Sequence, residues 1–466
     1  MASSSARRRL PIVDALPTPG SRWNSDQAGD VPRPRWAIWE LTLACDQSCA
    51  HCGPRAGKRR TDELTTDEAL ALVDELAELG VGEVVLIGGE AYLRSDFLLV
   101  IRRIRERGMA CTMTTGGRGL SAERAAAMVE AGIGSVTVSI DGLKDNHDRV
   151  RGNAGSWERA FAALRNVEAA GGRIACNTQL NALTMHDLLP LLEQLAEVGV
   201  HSWQLQITVP HGNAADHPEL IVQPYMFLEL FEVLGRVLRR ARELGIRVWP
   251  GNNLGYFGPL EQELRASQRK HFRGCSAGRT TLGIESNGAI KSCPSLGGPT
   301  NVGGSWREHG VQKIWEQSYQ LGYIRQRTLD DLWGLCRECY YASTCMAGCT
   351  AASEPLLGRP GNNPFCHHRA LQLDRQGLRE RIEQVSRSPD ARPFDNGTWQ
   401  IVREHKDPEL RRLHGPVHVE RPRVSRMVEP HGPGYPAGAS VAAPMTAPRP
   451  GTTRQPACGS AQRRTD

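Results

Sequence analysis

From residue 37 to residue 244 the apolar positions switch repeatedly between two periods, and that switching predicts the architecture. Short apolar and β-branched runs of strand length occur at Ala37–Ala44, Glu83–Ile87, Ala110–Thr114, Ser135–Ile140, Arg173–Leu180 and Ser202–Thr208. Helical spacing follows them at Thr66–Leu79, Asp96–Arg107, Ala122–Ala131, Trp157–Ala170, His186–Val198 and Pro224–Leu244. The first helix opens on Thr-Thr-Asp, a capping signal. A repeated strand–helix pattern implies a parallel sheet with helical crossovers. Six such units predict an α/β fold, a partial (β/α)6 TIM-like barrel rather than a closed eight-unit one.

The chain of 466 residues exceeds the usual size of one domain. The pattern divides it into a flexible N-terminal segment (1–34), the barrel (35–250), a small cysteine-rich domain (251–375) and a C-terminal extension (376–466). From about residue 390 the extension is rich in Pro, Gly and Arg with little periodicity, so it is expected to be mostly disordered. The net charge of +6 is modest, and no basic patch with interleaved aromatics suggests nucleic acid. No run approaches the roughly 18 apolar residues that span a bilayer. Thirteen cysteines in a chain whose start, MASSSARRRLPIVDALP, lacks an apolar signal core imply a reducing cytoplasm.

Three of those cysteines, Cys45, Cys49 and Cys52 in CDQSCAHC, leave the end of the first strand. A [4Fe–4S] cluster takes four cysteine ligands as a rule, so a compact triplet leaves one iron for a small molecule. The competing reading is a zinc knuckle. CxxxCxxC resembles the radical S-adenosylmethionine (SAM) superfamily. The resemblance implies that the SAM amino and carboxylate groups chelate the open iron, and that an electron from the cluster yields a 5′-deoxyadenosyl radical that abstracts a substrate hydrogen.

Other motifs extend the resemblance. Gly88-Gly89-Glu90 follows the second strand and matches the family's GGE turn, whose backbone receives the SAM amino group. Ser139-Ile140-Asp141-Gly142 and HDRVRG resemble the SIDG…H…RG pattern, which implies that Ser139 and Arg151 hold the SAM carboxylate. A guanidinium suits that task as a planar, permanently charged fork. Thr114-Thr115-Gly116-Gly117 stands where relatives often have Thr-Asn-Gly. Gln204 and Gln206 end the sixth strand and are candidates to face the adenosine or substrate. Cys111 and Cys176, within apolar strands, read as buried small hydrophobes, and Cys458 falls in the tail.

A second cysteine series, Cys275, Cys293, Cys336, Cys339, Cys345, Cys349 and Cys366, closely matches the seven-cysteine SPASM domain of radical SAM maturases. The match implies two auxiliary clusters, one on Cys275, Cys293 and Cys349 and one on Cys336, Cys339, Cys345 and Cys366. Some relatives add a fourth ligand to the first cluster six residues after its first cysteine; Thr281 stands there. A zinc module, completed by His367, His368 or another outside ligand, is the structural rival.

The resemblance therefore implies SAM, three [4Fe–4S] clusters, and modification of a ribosomally made precursor peptide by cross-linking, epimerisation or oxidation. It also implies an electron donor such as flavodoxin or ferredoxin, and a separate leader-binding protein, because a leader-binding winged helix needs more room than the first 34 residues offer. No catalytic acid or base is assigned. The alternatives are haem-precursor processing and sulfatase maturation; Cys293-Pro294-Ser295 lacks the Asp that sulfatase maturases carry after this cysteine. A non-catalytic metal scaffold would have no use for a SAM pocket.

Overall fold

The computed structural model describes residues 32–422 apart from 269–270, 299–300 and 389–390. Most of the expected N-terminal segment, and Cys458, lie outside these residues. Six strands, β1 (Trp36–Thr42), β2 (Glu83–Gly88), β3 (Ala110–Thr115), β4 (Ser135–Ser139), β5 (Ile174–Leu180) and β6 (Ser202–Ile207), pair in parallel in chain order. Their crossovers are α1 (Thr66–Glu78), α2 (Phe97–Glu106), α3 (Ala122–Glu130), the pair α4 (Lys144–Arg151) and α5 (Ser156–Ala169), and α6 (Leu188–Glu197). After β6 come α7 (Asn213–Asp216) and α8 (Phe227–Glu243). Thr65 caps α1 in a reciprocal capping box with Glu68.

The two faces of this sheet differ in chemistry. Trp39, Leu41, Val84, Leu86, Cys111, Met113, Val136, Val138, Cys176, Trp203 and Leu205 are fully buried on one face and join Leu72, Leu76 and Ile101 of the crossover helices in one apolar core. In β3 to β6 the alternate positions include Thr112, Thr114, Thr137, Ser139, Asn177, Gln179, Gln204 and Gln206. In β4, β5 and β6 the register sets Ser139 beside Asn177 and Asn177 beside Gln204. Closed barrels fill that inner face with branched apolar side chains; here β1 and β2 contribute Ile38, Val85 and Ile87 to it, while β3 to β6 present polar side chains, which suit a ligand.

The sheet is larger than six strands. Strand β7 (Arg247–Pro250) adds to β6, and β8 (Thr281–Ile284) pairs in parallel with β1 at the opposite edge. Strands β9 (Ala289–Lys291) and β10 (Val302–Ser305) continue it antiparallel, giving ten strands. The cysteine-rich region thus shares a sheet with the barrel across residue 250.

The expected disorder after about residue 390 is corrected for residues 392–422. Strands β11 (Leu378–Ser386), β12 (Thr398–His405) and β13 (Pro416–Glu420) form an antiparallel sheet. Trp399, Ile401 and Val402 are about 1% exposed within it. The charges that made this stretch look solvated are ion-paired instead: Arg403 with Glu380 at 2.8 Å, and Glu404 with Arg379 at 2.7 Å.

Candidate radical SAM site

The first three cysteines lie on a loop whose base is pinned by backbone hydrogen bonds, Cys45 N–H to Gly57 O and Gly57 N–H to Leu43 O, both 3.0 Å. Burial raises all three thiols, Cys45 to about 12 and Cys49 to about 11. The three thiols also repel one another as thiolates, and Ala56 N–H points at Cys52 Sγ at 3.3 Å. Such buried sulfurs are stable as thiolates only with cations beside them, which fits an iron cluster.

Gly88 and Gly89 lie directly against this loop. A Cβ on Gly88 would come within 2.3 Å of Thr42 O, and one on Gly89 within 2.0 Å of Ala44 O, so only glycine permits the approach. Gly89 and Glu90 then donate their N–H groups to Thr42 O and Ala44 O. The Glu90 carboxylate is buried and accepts from Thr115 Oγ1 and from Gly116 N at 2.7 Å. Burial, partly offset by those bonds, lifts its pKa to about 7. The structure therefore gives this turn a framework task, joining β1, β2 and β3 around the cysteine loop.

Arg151 sits in the last turn of α4, a helix the apolar pattern missed because KDNHDRVR is polar and buries only His147, Val150 and Arg151. Its Nε donates to Asp141 Oδ2 at 2.8 Å, and its Nη1 lies 3.8 Å from Cys49 Sγ. Asp141 is fully buried and also accepts from His51 Nε2 at 2.9 Å and Gln179 N at 3.0 Å. Burial would raise the Asp141 pKa, but Arg151 and His51 hold it well below the usual carboxylate range. His147 Nδ1 accepts from Asp141 N–H, so its Nε2–H faces Ser156 Oγ at 3.2 Å. Burial and the Arg151 charge depress the His147 pKa to about 4, which keeps the ring neutral. Asp141, His51 and His147 were not assigned roles from sequence, although Asp141 lies inside the Ser-Ile-Asp-Gly motif and His51 inside CAHC.

A set of buried polar atoms beside this network has no partner: Asn177 Oδ1, Thr208 Oγ1, Gln47 Nε2, Asp46 Oδ1 and His51 Nδ1. Buried polar groups are ordinarily paired. With the polar positions of β3 to β6, they fit a polar cofactor such as SAM at the carboxyl ends of the strands. Ser139 is buried next to Asn177, and Gln206 is half-buried, whereas Gln204 is exposed. Cys111 and Cys176 are fully buried in the apolar face.

The later cysteines fall into two groups. Burial raises Cys349, and Cys275 and Cys293 raise it further; Cys293 is raised to about 11 by burial and then by Cys275. Separately, burial raises Cys345, followed by Cys366, Cys336 and Cys339. Backbone N–H groups point at three sulfurs of the second group, from Asn363 to Cys336 at 3.3 Å, Tyr341 to Cys339 at 3.4 Å and Arg369 to Cys366 at 3.5 Å. These four cysteines line a cavity of about 1030 Å³. Sulfur-directed N–H groups are among the features that tune iron–sulfur centres. Of the histidines a zinc module would recruit, His368 lines the same cavity and meets Tyr341 edge-on at 5.0 Å, while His367 stacks on Phe231 at 3.9 Å. Thr281 Oγ1 donates to Ser276 Oγ at 3.4 Å.

Family comparisons agree with this division. Residues 39–195 match the radical SAM superfamily and residues 275–340 match the SPASM iron-sulfur cluster-binding domain. The chain carries a radical SAM domain and a SPASM domain. It is 28% identical to an AdoMet-dependent heme synthase of Methanosarcina barkeri over 349 residues, 72% of this chain and 97% of that protein. It is also 28% identical to the mycofactocin maturase MftC of Mycobacterium ulcerans, covering 74% of this chain and 92% of that one. Its fold resembles Streptococcus suis SuiB bound to S-adenosylmethionine, with a TM-score of 0.55 at 17% identity over 68% of this chain and 73% of that one. It also resembles anSMEcpe with bound AdoMet, at 0.59 and 15% identity over 72% and 94%. The two domains imply SAM and iron–sulfur clusters as cofactors.

The buried Arg151–Asp141 pair determines how the carboxylate contact is tested. Arg151→Ala would leave Asp141 buried without its guanidinium, a loss on the order of 3–5 kcal/mol of stability. Arg151→Lys keeps the charge and removes the planar fork. This conservative variant is expected to keep its iron and to bind SAM about tenfold more weakly, the cost of roughly one charge-assisted hydrogen bond. Equilibrium binding of SAM to the reconstituted protein measures this, and unchanged affinity would remove Arg151 from the carboxylate site.

Proposed function

We propose that this enzyme modifies a ribosomally made precursor peptide by hydrogen abstraction, forming a cross-link, an epimer or an oxidised residue. In this reading Cys45, Cys49 and Cys52 hold a [4Fe–4S] cluster, Cys275, Cys293 and Cys349 a first auxiliary cluster, and Cys336, Cys339, Cys345 and Cys366 a second. When bound, SAM and the first cluster supply the 5′-deoxyadenosyl radical that takes the substrate hydrogen. Ser139 and Arg151 hold the SAM carboxylate, the backbone of the Gly88-Gly89-Glu90 turn receives the SAM amino group, and Asp141 fixes the Arg151 fork. The buried polar atoms of Asn177 and Thr208 supply hydrogen-bond partners for the cofactor. Reducing equivalents come from a flavodoxin or ferredoxin, and a separate protein presents the leader in the cytoplasm. Among the described residues no helix is long and apolar enough to cross a membrane.

The observation that carries the peptide reading is main-chain recognition beside the cysteine loop. Gly53 O accepts from Phe394 N–H at 2.9 Å, and Gly212 N–H donates to Asp395 O at 2.6 Å. A passage that holds one polypeptide segment by its backbone suits another. The curated relatives named mycofactocin maturase support the same reading. A second reading, haem-precursor processing, is favoured by the relatives named AdoMet-dependent heme synthase and Fe-coproporphyrin III synthase.

Anaerobic incubation with reductant, SAM and the peptides encoded beside the gene is expected to yield 5′-deoxyadenosine and a peptide changed in mass or stereochemistry. Turnover of an iron porphyrin with every such peptide unchanged would replace the first reading with the second.

A further inference from the structure

The segment Arg392–Asn396 of the C-terminal extension is inserted between three loops that meet at the mouth of the barrel. One is the cysteine loop at Gly53, the second follows β6 at His211-Gly212, and the third follows Cys293 at Gly297. Phe394 has a left-handed backbone, φ 59°, and its ring abuts glycines on two sides. A Cβ on Gly297 would come within 1.9 Å of the Phe394 side chain, and one on Gly53 within 3.4 Å. The ring also lies 4.4 Å from the ammonium of the buried Lys291 and edge-on to His211 at 6.1 Å. His211 donates from Nε2 to Ala351 O at 2.8 Å.

The next residue is held by charge. Arg55, three positions after Cys52, donates from Nε to Asp395 Oδ1 at 2.8 Å and pairs with Asp216 and Asn213 of α7. Asn213 in turn donates to Cys49 O at 2.8 Å. The three loops together present, at one place, the Arg55 guanidinium, a slot for a ring between Gly53 and Gly297, and main-chain partners for one N–H at Gly53 O and one C=O at Gly212 N.

We propose that this place is a peptide-binding site whose occupant here is the enzyme's own residues 392–396, and that the substrate peptide displaces them by presenting an aromatic side chain followed by a carboxylate. This rests on the peptide reading above and adds the recognition rule to it. The ring would enter the slot between Gly53 and Gly297, the carboxylate would take the Arg55 fork, and the substrate backbone would replace the bonds to Gly53 O and Gly212 N. The displaced segment touches both the cysteine loop, at Gly53, and the loop that carries Cys293, at Gly297.

A synthetic peptide spanning residues 391–399 tests the site without knowledge of the natural substrate. The full-length reconstituted variant Phe394→Ala/Asp395→Ala should bind it at least about tenfold more tightly than the wild type, because a site occupied nine-tenths of the time by its own segment loses that factor. A peptide with Asp395 replaced by Ala should bind the variant more weakly than the unaltered one. In the wild type, millimolar peptide should accelerate amide exchange across residues 391–397, a readout that stands even if the double variant misfolds. Equal binding by wild type and a fully iron-loaded variant, or unchanged exchange, overturns the proposal. Those results are independent of whether any precursor peptide is modified, so failure of the functional reading is seen separately, in the product assay.

Discussion

Replacing Cys45, Cys49 and Cys52 together with alanine is expected to abolish SAM cleavage and to remove about a third of the iron, roughly four of roughly twelve atoms at four per cluster. The loop itself should survive the change. Its base is held by backbone bonds between Cys45, Leu43 and Gly57, and the turn that packs on it is fixed by contacts of Gly88 and Gly89 with backbone atoms. None of these involves a thiol. The auxiliary sulfurs interact with one another, Cys349 with Cys275 and Cys293, and Cys345 with Cys366, Cys336 and Cys339, so their iron should remain. Anaerobic iron analysis and the yield of 5′-deoxyadenosine measure both effects. Stoichiometric zinc without iron in the parent protein would sink the cluster assignment altogether.

The barrel was legible because its strands and helices each carry a strong period. The six strands appear within about two residues of their expected limits, since apolar alternation against a helical layer leaves little freedom of register. Short or polar elements escaped. Strands β7 and β8 have four residues each, too few for a periodic signal, and α4 is polar because two of its three buried residues are a histidine and an arginine held by an aspartate.

At the site, cysteine spacing revealed the candidate ligands directly, because a cluster constrains residue type and loop length together. The partners of those ligands were less visible. Asp141 acquires its meaning only when β4, α4 and the cysteine loop bring Arg151, His51 and Cys49 around it. Phe394 and Asp395 were invisible for a different reason: they lie some 340 residues from Gly53 and Arg55, in a stretch whose composition suggested solvation.

The order found in that stretch changes what truncation should do. Ending the chain after Gly397 is expected to yield insoluble or unfolded protein, whereas ending it after Arg421 retains every described strand. The first truncation removes Trp399, Ile401 and Val402 from the buried interior, and loss of a buried Trp alone costs about 3–5 kcal/mol. It also removes Arg403 and Glu420. Glu380 is 2% exposed and holds Arg369 at 2.6 Å and Arg403 at 2.8 Å; Glu420 accepts from Asn362 and lies 3.9 Å from Arg369. Arg369 in turn presents its N–H to Cys366, so the damage reaches the second auxiliary group. The combined loss is comparable to the roughly 5–15 kcal/mol that holds a typical domain together. Soluble yield, iron content and thermal unfolding of the two truncations decide the matter: a soluble, fully iron-loaded protein ending at Gly397 would show that the C-terminal sheet is dispensable to the fold.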